Sequence, residues 1–256
     1  MDLIDVREIR AARSRDDLVF GEGDRPLGGG TWLYSEPQPG TTGLVDLTTL
    51  GWDSIEETDA GLTIGATCTI ASLARHPHPL FAQCANSLLA SFKVWNVATV
   101  GGNIALALPA GPMTSLGVAL DGTAVIWSAT TERRMPVSEF VLGVQHTALA
   151  PGEVLRAIEI PRSALEARHG FRRISLSPVG RTGTLVTAVH GEEAVFTITG
   201  GTTRPHVLRF DDLPSAAALG SALDGIDDWY DDAHGSPDWR EAMSRRFALE
   251  LLEELS

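Results

Sequence analysis

Residues 25–33 read Arg-Pro-Leu-Gly-Gly-Gly-Thr-Trp-Leu, and residues 96–105 read Asn-Val-Ala-Thr-Val-Gly-Gly-Asn-Ile-Ala. Both stretches combine adjacent glycines with hydroxyl or amide side chains. Glycines let a backbone turn sharply and bring consecutive N–H groups close to a ligand, an arrangement that suits a phosphate or pyrophosphate at the start of a helix. Taken alone, the glycines of the first stretch are more typical of a plain loop than of a phosphate site, and the second stretch is compatible with a Gly-Gly turn at the end of a helix.

Neither stretch is one of the two common nucleotide-binding signatures. The glycines at 28–30 are not followed by Gly-Lys-Ser or Gly-Lys-Thr, so they do not form a P-loop. Residues 21–26 read Gly-Glu-Gly-Asp-Arg-Pro and lack the third glycine of the dinucleotide-binding fingerprint. A nucleotide held here would therefore be bound by another scheme.

Charge and hydrophobic pattern exclude several classes of partner. The 256 residues have a formal net charge of −13, whereas nucleic-acid binding needs clustered Lys and Arg. Residues 1–5 lack the apolar stretch of a signal peptide, and no apolar run approaches the roughly 18–20 residues that span a bilayer. We therefore expect a cytoplasmic protein that binds neither nucleic acid nor membrane. Cys68 and Cys84 have no metal-ligand spacing and are expected to be buried free thiols.

Local patterns predict an α+β chain with short strands and helices mixed. Strands are predicted at 43–47, 54–58, 61–66, 123–127, 134–137, 154–160, 171–176, 185–189 and 194–199, and helices at 70–75, 80–92, 112–120 and 237–255. Thr69 is the expected N-cap of the first helix.

The polar stretch 163–169 is the expected boundary between lobes. The acidic run 224–232 is expected to be a solvated loop, and His76 and His78 are expected in a surface turn.

In their order and spacing, the two glycine stretches resemble the FAD-binding domain of the xanthine dehydrogenase and carbon monoxide dehydrogenase flavoprotein family. Members of that family have an Ala-Gly-Gly-Thr-Asp-Leu loop near the N-terminus and a later Ala-Thr-Ile-Gly-Gly-Asn segment. Further similar stretches are residues 44–47, 62–69, 149–155, 158–161, 199–205 and 234–240. The resemblance thus covers almost the whole chain.

The resemblance implies an α+β fold and a domain division. Residues 1–162 would form an FAD-binding domain of two small α/β subdomains (PCMH-type), at about 1–52 and 53–162. Residues 168–256 would form a C-terminal α+β domain with a small antiparallel sheet and helices.

The resemblance also implies a function. The chain would be the FAD-binding electron-transfer subunit of a molybdenum hydroxylase-type oxidoreductase. It would take electrons from an iron–sulfur subunit and pass them to NAD, oxygen or another acceptor, while a molybdopterin-binding large subunit hydroxylates the substrate. No catalytic residue and no metal ligand are expected in this chain. The alternatives are a stand-alone flavoprotein oxidoreductase and a flavin-free structural subunit that keeps the scaffold.

Carried over residue by residue, the resemblance implies cofactor contacts in two stretches and at two further positions. They are Leu27, Gly28, Gly29, Gly30, Thr31 and Trp32 around the pyrophosphate; Thr99, Gly101, Gly102, Asn103 and Ala105 near the flavin and its ribityl chain; Leu155 against the ring; and Arg173, with Arg172 as the alternative, at the flavin edge.

Several residues depart from the family pattern. Trp32, Trp95, Leu108 and Pro112 stand where the family usually has an aspartate, an arginine, a serine and an acidic residue. Backbone contacts need glycines rather than particular side chains. We therefore expect FAD binding to persist, with altered access to the flavin or an altered flavin potential.

Overall fold

The computed structural model describes residues 3–256, which form four sheets with helices packed around them. Met1 and Asp2, the first residues of the predicted subdomain 1–52, lie outside the described residues. In chain order the strands are β1 (Glu8–Ala11), β2 (Asp24–Leu27), β3 (Gly43–Asp46), β4 (Ile55–Thr58), β5 (Gly61–Gly65), β6 (Thr123–Trp127), β7 (Glu132–Pro136), β8 (Val141–Gly143), β9 (His146–Thr147), β10 (Val154–Pro161), β11 (Arg168–Ile174), β12 (Thr184–His190), β13 (Ala194–Thr199) and β14 (His206–Phe210).

The helices are mostly short. They are α1 (Ile70–Leu73), α2 (Pro79–Asn86), α3 (Phe92–Trp95), α4 (Val100–Ala105), α5 (Pro112–Ala119), α6 (Val137–Phe140), α7 (Arg162–Glu166), α8 (Ala216–Leu223) and α9 (Pro237–Leu255). None of these helices, within residues 3–256, has both the length and the apolar character needed to cross a membrane.

The first sheet is parallel and leads directly into the first glycine stretch. Its strand order is β1-β3-β2. Gly43 of β3 lies so close to β2 that a Cβ there would be 2.1 Å from a carboxylate oxygen of Asp24. The N–H of Gly21 and the guanidinium of Arg10 donate to that carboxylate and lower its pKa. The strand predicted at 43–47 is confirmed, whereas β1 and β2 were not predicted.

The second sheet is antiparallel, with the order β4-β5-β10-β6-β7. Its first two strands form the hairpin predicted at 54–58 and 61–66. Helix α4 packs against β5 and β10, and α2 packs against α5. Ile64, Phe81, Ile104 and Ile158 lie in the shared core. Burial of each such side chain contributes about 1.5–3 kcal/mol relative to an exposed position. Thr69 caps α1 as predicted, because its hydroxyl accepts the N–H of Ser72.

The third sheet belongs to the C-terminal lobe and has the antiparallel order β11-β12-β13-β14. Helix α9 packs against β11 and β12, and α8 packs against α9. The core of this lobe includes Val186, Ile198, Leu219 and Leu251. The strands predicted at 171–176, 185–189 and 194–199 and the last helix are confirmed, whereas β14 was not predicted.

The lobes are in contact through α5, which packs against β12 and β13. At this contact the hydroxyls of Ser115 and Thr199 form a buried hydrogen bond of 2.7 Å. The first three-stranded sheet, the five-stranded sheet and the four-stranded sheet fall within 1–52, 53–162 and 168–256 respectively. The division into domains at these boundaries remains a prediction.

Some predicted elements are placed differently. The helix predicted at 80–92 ends at Asn86, and Phe92, expected on its buried face, is 73% exposed at the start of α3. Residues 87–90 leave the helix and form part of a cavity wall instead. The strand predicted at 134–137 is Glu132–Pro136, and Val137 begins α6. The stretch 163–169, predicted as a polar boundary, contains most of α7 and the start of β11.

The turn that contains His76 and His78 is half-buried against the C-terminal lobe, contrary to the predicted surface turn. The ring centroid of His78 is 4.6 Å from that of His169 in β11. Desolvation, reinforced by His169 and His76, lowers the pKa of His78 to about 4. A protonated His78 is therefore disfavoured in the folded chain.

This shift predicts a loss of stability in acid. In the unfolded chain His78 takes up a proton near its ordinary pKa of about 6.5, whereas in the folded chain it does so near about 4. The folded chain therefore keeps its full free energy of unfolding above pH 6.5, where His78 is neutral in both states. That free energy decreases as the pH falls from about 6.5 to about 4. Urea denaturation across this range measures it. His78→Gln, which does not titrate, should flatten the slope, and an unchanged slope would contradict the shift.

Candidate functional site

A cavity of about 690 Å³ lies where the three larger sheets approach each other. Its volume is in the range of small-molecule sites. Much of its wall is apolar, including Leu47, Leu88, Leu149 and Val154. The predicted site residues that line it are Gly28, Gly29, Gly30, Thr31, Trp32, Thr99, Gly101, Gly102, Asn103, Ala105 and Leu155. Residues far apart in the sequence are thus brought to one cavity.

The first glycine stretch forms a loop, residues 28–32, that presents its backbone donors to the cavity. None of the N–H groups of residues 28–32 has an acceptor within residues 3–256. The loop continues into turns at 31–35 rather than into a helix, and the N–H of Tyr34 bonds to the carbonyl of Gly30 at 2.9 Å. Gly30 has a φ of +68°, a conformation that glycine adopts without strain. Partly buried donors without acceptors favour an anionic ligand at this loop.

The glycine loop is packed directly against the second glycine segment, residues 97–105. A Cβ at Gly29 would be 1.8 Å from the carbonyl oxygen of Val97, and one at Gly28 would be 2.8 Å from the hydroxyl of Thr99. Real Cβ atoms do not approach backbone this closely. The two stretches therefore need glycine for their mutual contact as well as for any ligand.

The second glycine segment is the start of α4, not the end of a helix. Its backbone donors are used within the protein: the N–H of Gly101 bonds to the carbonyl of Ala66, and that of Gly102 bonds to the hydroxyl of Thr99. The side-chain oxygen of Asn103 accepts the N–H of Met113 at 3.0 Å. The polar groups that this segment can offer a ligand are consequently the hydroxyl hydrogen of Thr99 and the amide NH₂ of Asn103.

Two predicted site residues do not line the cavity. Leu27 is buried beneath the glycine loop, and its carbonyl accepts the N–H of Leu47 at 2.9 Å. The Nε of Arg173 donates to the hydroxyl of Thr182 at 2.8 Å, and its guanidinium also donates to the carbonyl of Gly180. Burial lowers the pKa of Arg173. Among the unusual residues, Trp32 and Leu108 line the cavity, whereas Pro112 is buried at the start of α5.

The C-terminal lobe supplies a wall that was not predicted: Arg181, Thr182, Gly200, Tyr230, Asp232 and Arg240. Arg240 of α9 is 1% exposed. It donates to the carbonyls of Gly235, Gly183 and Gly200 and forms an ion pair with Asp232.

The acidic run 224–232 is therefore not a plain solvated loop. Asp232 lines the cavity, and Asp228 accepts hydrogen bonds from Thr203 and His206 that lower its pKa against the effect of burial. These contacts join residues distant in sequence, so no local signal indicated them.

The comparison with known families identifies one that covers most of the chain. The family described as "FAD binding domain in molybdopterin dehydrogenase" matches residues 6–163. Xanthine dehydrogenase/oxidase of Gallus gallus is 29% identical over 125 residues, which are 43% of this chain and 9% of that protein. The carbon monoxide dehydrogenase medium chain of Hydrogenophaga pseudoflava is 29% identical over 125 residues, 47% of this chain and 43% of that one. The match thus spans less than half the length of each of these relatives.

Solved structures share the fold over nearly the whole chain. Carbon monoxide dehydrogenase from Hydrogenophaga pseudoflava superimposes with a TM-score of 0.82 and 22% identity, covering 97% of this chain and 96% of that one. Quinoline 2-oxidoreductase from Pseudomonas putida 86 gives a TM-score of 0.80 and 23% identity, covering 97% of both chains. At this identity the likeness concerns the fold alone, and it confirms the predicted fold class.

The contact at Gly29 predicts a specific sensitivity. Gly29→Ala should lower the free energy of unfolding by about 1–3 kcal/mol, because the new Cβ must push the loop away from Val97. Urea denaturation measures the change. Gly21→Ala is the matched control, since its Cβ would meet no atom closer than 3.6 Å. Equal stability of the two variants would contradict the close packing of the glycine loop.

Proposed function

This chain belongs to the family of FAD-binding domains in molybdopterin dehydrogenases, and from that premise we propose that it is the electron-transfer subunit of a molybdenum hydroxylase-type oxidoreductase. It takes electrons from iron–sulfur clusters of a partner subunit and passes them to an acceptor such as NAD or oxygen. FAD is the cofactor of the family. The observation that carries the proposal is the row of N–H groups at residues 28–32 that have no acceptor among residues 3–256.

The residues around the cavity fit FAD. The glycine loop would hold the diphosphate through its N–H groups, and the adjacent guanidinium of Arg25, which also lines the cavity, would add a positive charge. The apolar wall that includes Leu155 suits an aromatic ring system. Thr99 and Asn103 would donate to polar groups between the two ends. When bound, FAD supplies the ability to accept and release electrons, and the protein positions it and shields it from water.

Partner subunits are proposed because this chain offers little for the other redox centres. Cys68 and Cys84 are free and buried, as predicted. Burial raises the pKa of Cys68 to about 11 and also raises that of Cys84. Cysteines bind iron–sulfur clusters as thiolates, so a thiol that is held protonated is a poor ligand. An iron–sulfur subunit and a molybdopterin-binding large subunit would supply these centres. Free thiols also suit the proposed cytoplasmic location.

The absorption spectrum of the purified chain tests the cofactor. We expect the bands of oxidised flavin, and stoichiometric release of FAD, identified by chromatography, after denaturation. A chain that stays colourless after incubation with excess FAD would contradict the proposal and would favour a flavin-free structural subunit.

Purification from native cells tests the partners. We expect iron–sulfur and molybdenum-containing subunits to accompany the chain in stoichiometric amounts. A flavin-loaded chain that purifies alone and oxidises a substrate by itself would favour the stand-alone flavoprotein instead.

A further inference from the structure

Two exposed arginines at the cavity, Arg25 and Arg181, are without an ionic partner among the described residues. Their side chains also make no hydrogen bond within the part of the chain that the structure describes. The chain has a net charge of −13, and many of its other arginines are paired with carboxylates. Two unpaired cations at one cavity of an acidic protein favour anionic ligand groups there.

The two arginines lie on different walls. Arg25 belongs to β2, immediately before the glycine loop, so its charge belongs with the diphosphate site. Arg181 belongs to the C-terminal lobe, in the loop between β11 and β12. A diphosphate bound at the glycine loop would face Arg25 and not Arg181. The positive charge of Arg181 therefore still needs an anionic partner.

Both residues that flank Arg181 are hydrogen-bonded to the side chain of Arg173. Arg173 donates to the carbonyl of Gly180 and to the hydroxyl of Thr182, the two residues that flank Arg181. The hydroxyl of Thr182 is also 3.4 Å from the carbonyl of Ser87, on the neighbouring wall of the cavity. The loop is thus tied to neighbouring groups on both sides of Arg181, while the exposed guanidinium of Arg181 is left free to meet a ligand.

We propose that Arg181 binds an anionic group of a ligand at the C-terminal wall of the cavity, and that Arg173 is the positioning residue that holds Arg181 there. The inference rests on the proposed function, because the ligand is either FAD itself or a phosphate-containing electron acceptor such as NAD. Both would present an anionic group to a guanidinium, and binding measurements distinguish them.

Arg181→Gln tests the proposal in the full chain. FAD is titrated with the quenching of flavin fluorescence as the readout, and NAD is titrated into the oxidised FAD-loaded chain by calorimetry. We expect about a tenfold rise in Kd for one of the two ligands, as for the loss of one charge-assisted hydrogen bond. The difference from wild type should shrink at high salt, and Arg181→Lys should restore part of the affinity.

The outcomes separate the two ligands and the two hypotheses. A rise confined to the Kd of NAD identifies the acceptor as the bound anion, and a rise in the FAD Kd identifies the cofactor. Arg75→Gln, an exposed arginine away from the cavity, should change neither Kd. If wild type binds FAD and Arg181→Gln changes neither Kd, the role of Arg181 is overturned. If wild type itself binds no FAD, the proposed function fails first.

A double-mutant cycle tests the positioning role of Arg173. Arg173→Met should raise the same Kd as Arg181→Gln does, and it should have no further effect when Arg181 is already Gln. If Arg173 had a purely structural role, Arg173→Met would lower thermal stability equally in wild type and in Arg181→Gln. The effects of the two substitutions on Kd would then be additive. Additive effects on Kd would overturn the coupling.

Discussion

The structure depends on the close contact between the glycine loop and the second glycine segment. Gly28 and Gly29 leave no space for a side chain against residues 97–99, and Gly101 is equally tight against Ala66 after β5. The glycines therefore join the parallel sheet to α4, and α4 to the five-stranded sheet. Each additional methyl would meet an atom of the neighbouring segment at less than 3 Å, so that segment would have to shift. The shape of the cavity follows from this sequence of contacts.

The two glycine stretches have similar composition but different uses of their backbone donors. In the second, the N–H groups at the start of α4 are bonded to protein acceptors, so its glycines serve packing. In the loop at 28–32 the donors have no acceptor among the described residues. Unsatisfied partly buried N–H groups cost free energy, and an anionic ligand removes that cost. In the proposed site the diphosphate end would be built from backbone donors, so replacements such as Trp32 would be compatible with it.

Local patterns were sufficient for elements whose signal is contained in one segment, such as the hairpin at 55–65 and α9. They failed where a segment serves the cavity. The apolar spacing after Leu80 continues to Phe92, but the helix ends at Asn86 and residues 87–90 line the cavity. The sequence predicted that one of two neighbouring strand residues, Arg173 or its alternative Arg172, faces the site. Neither residue lines the cavity. The arginine that does, Arg181, lies in a loop, where no periodicity applies.

The C-terminal lobe is part of the site and not only an attachment to it. Arg240 ties α9 to the carbonyls of Gly183 and Gly200 and to Asp232, so the wall is held by a buried guanidinium paired with a carboxylate that is 25% exposed. Removing that carboxylate would leave the buried charge of Arg240 with carbonyl partners only, which destabilises the wall. A ligand that contacts walls from all three sheets binds only when the lobes are docked. Its binding free energy therefore adds to the stability of the interface between them.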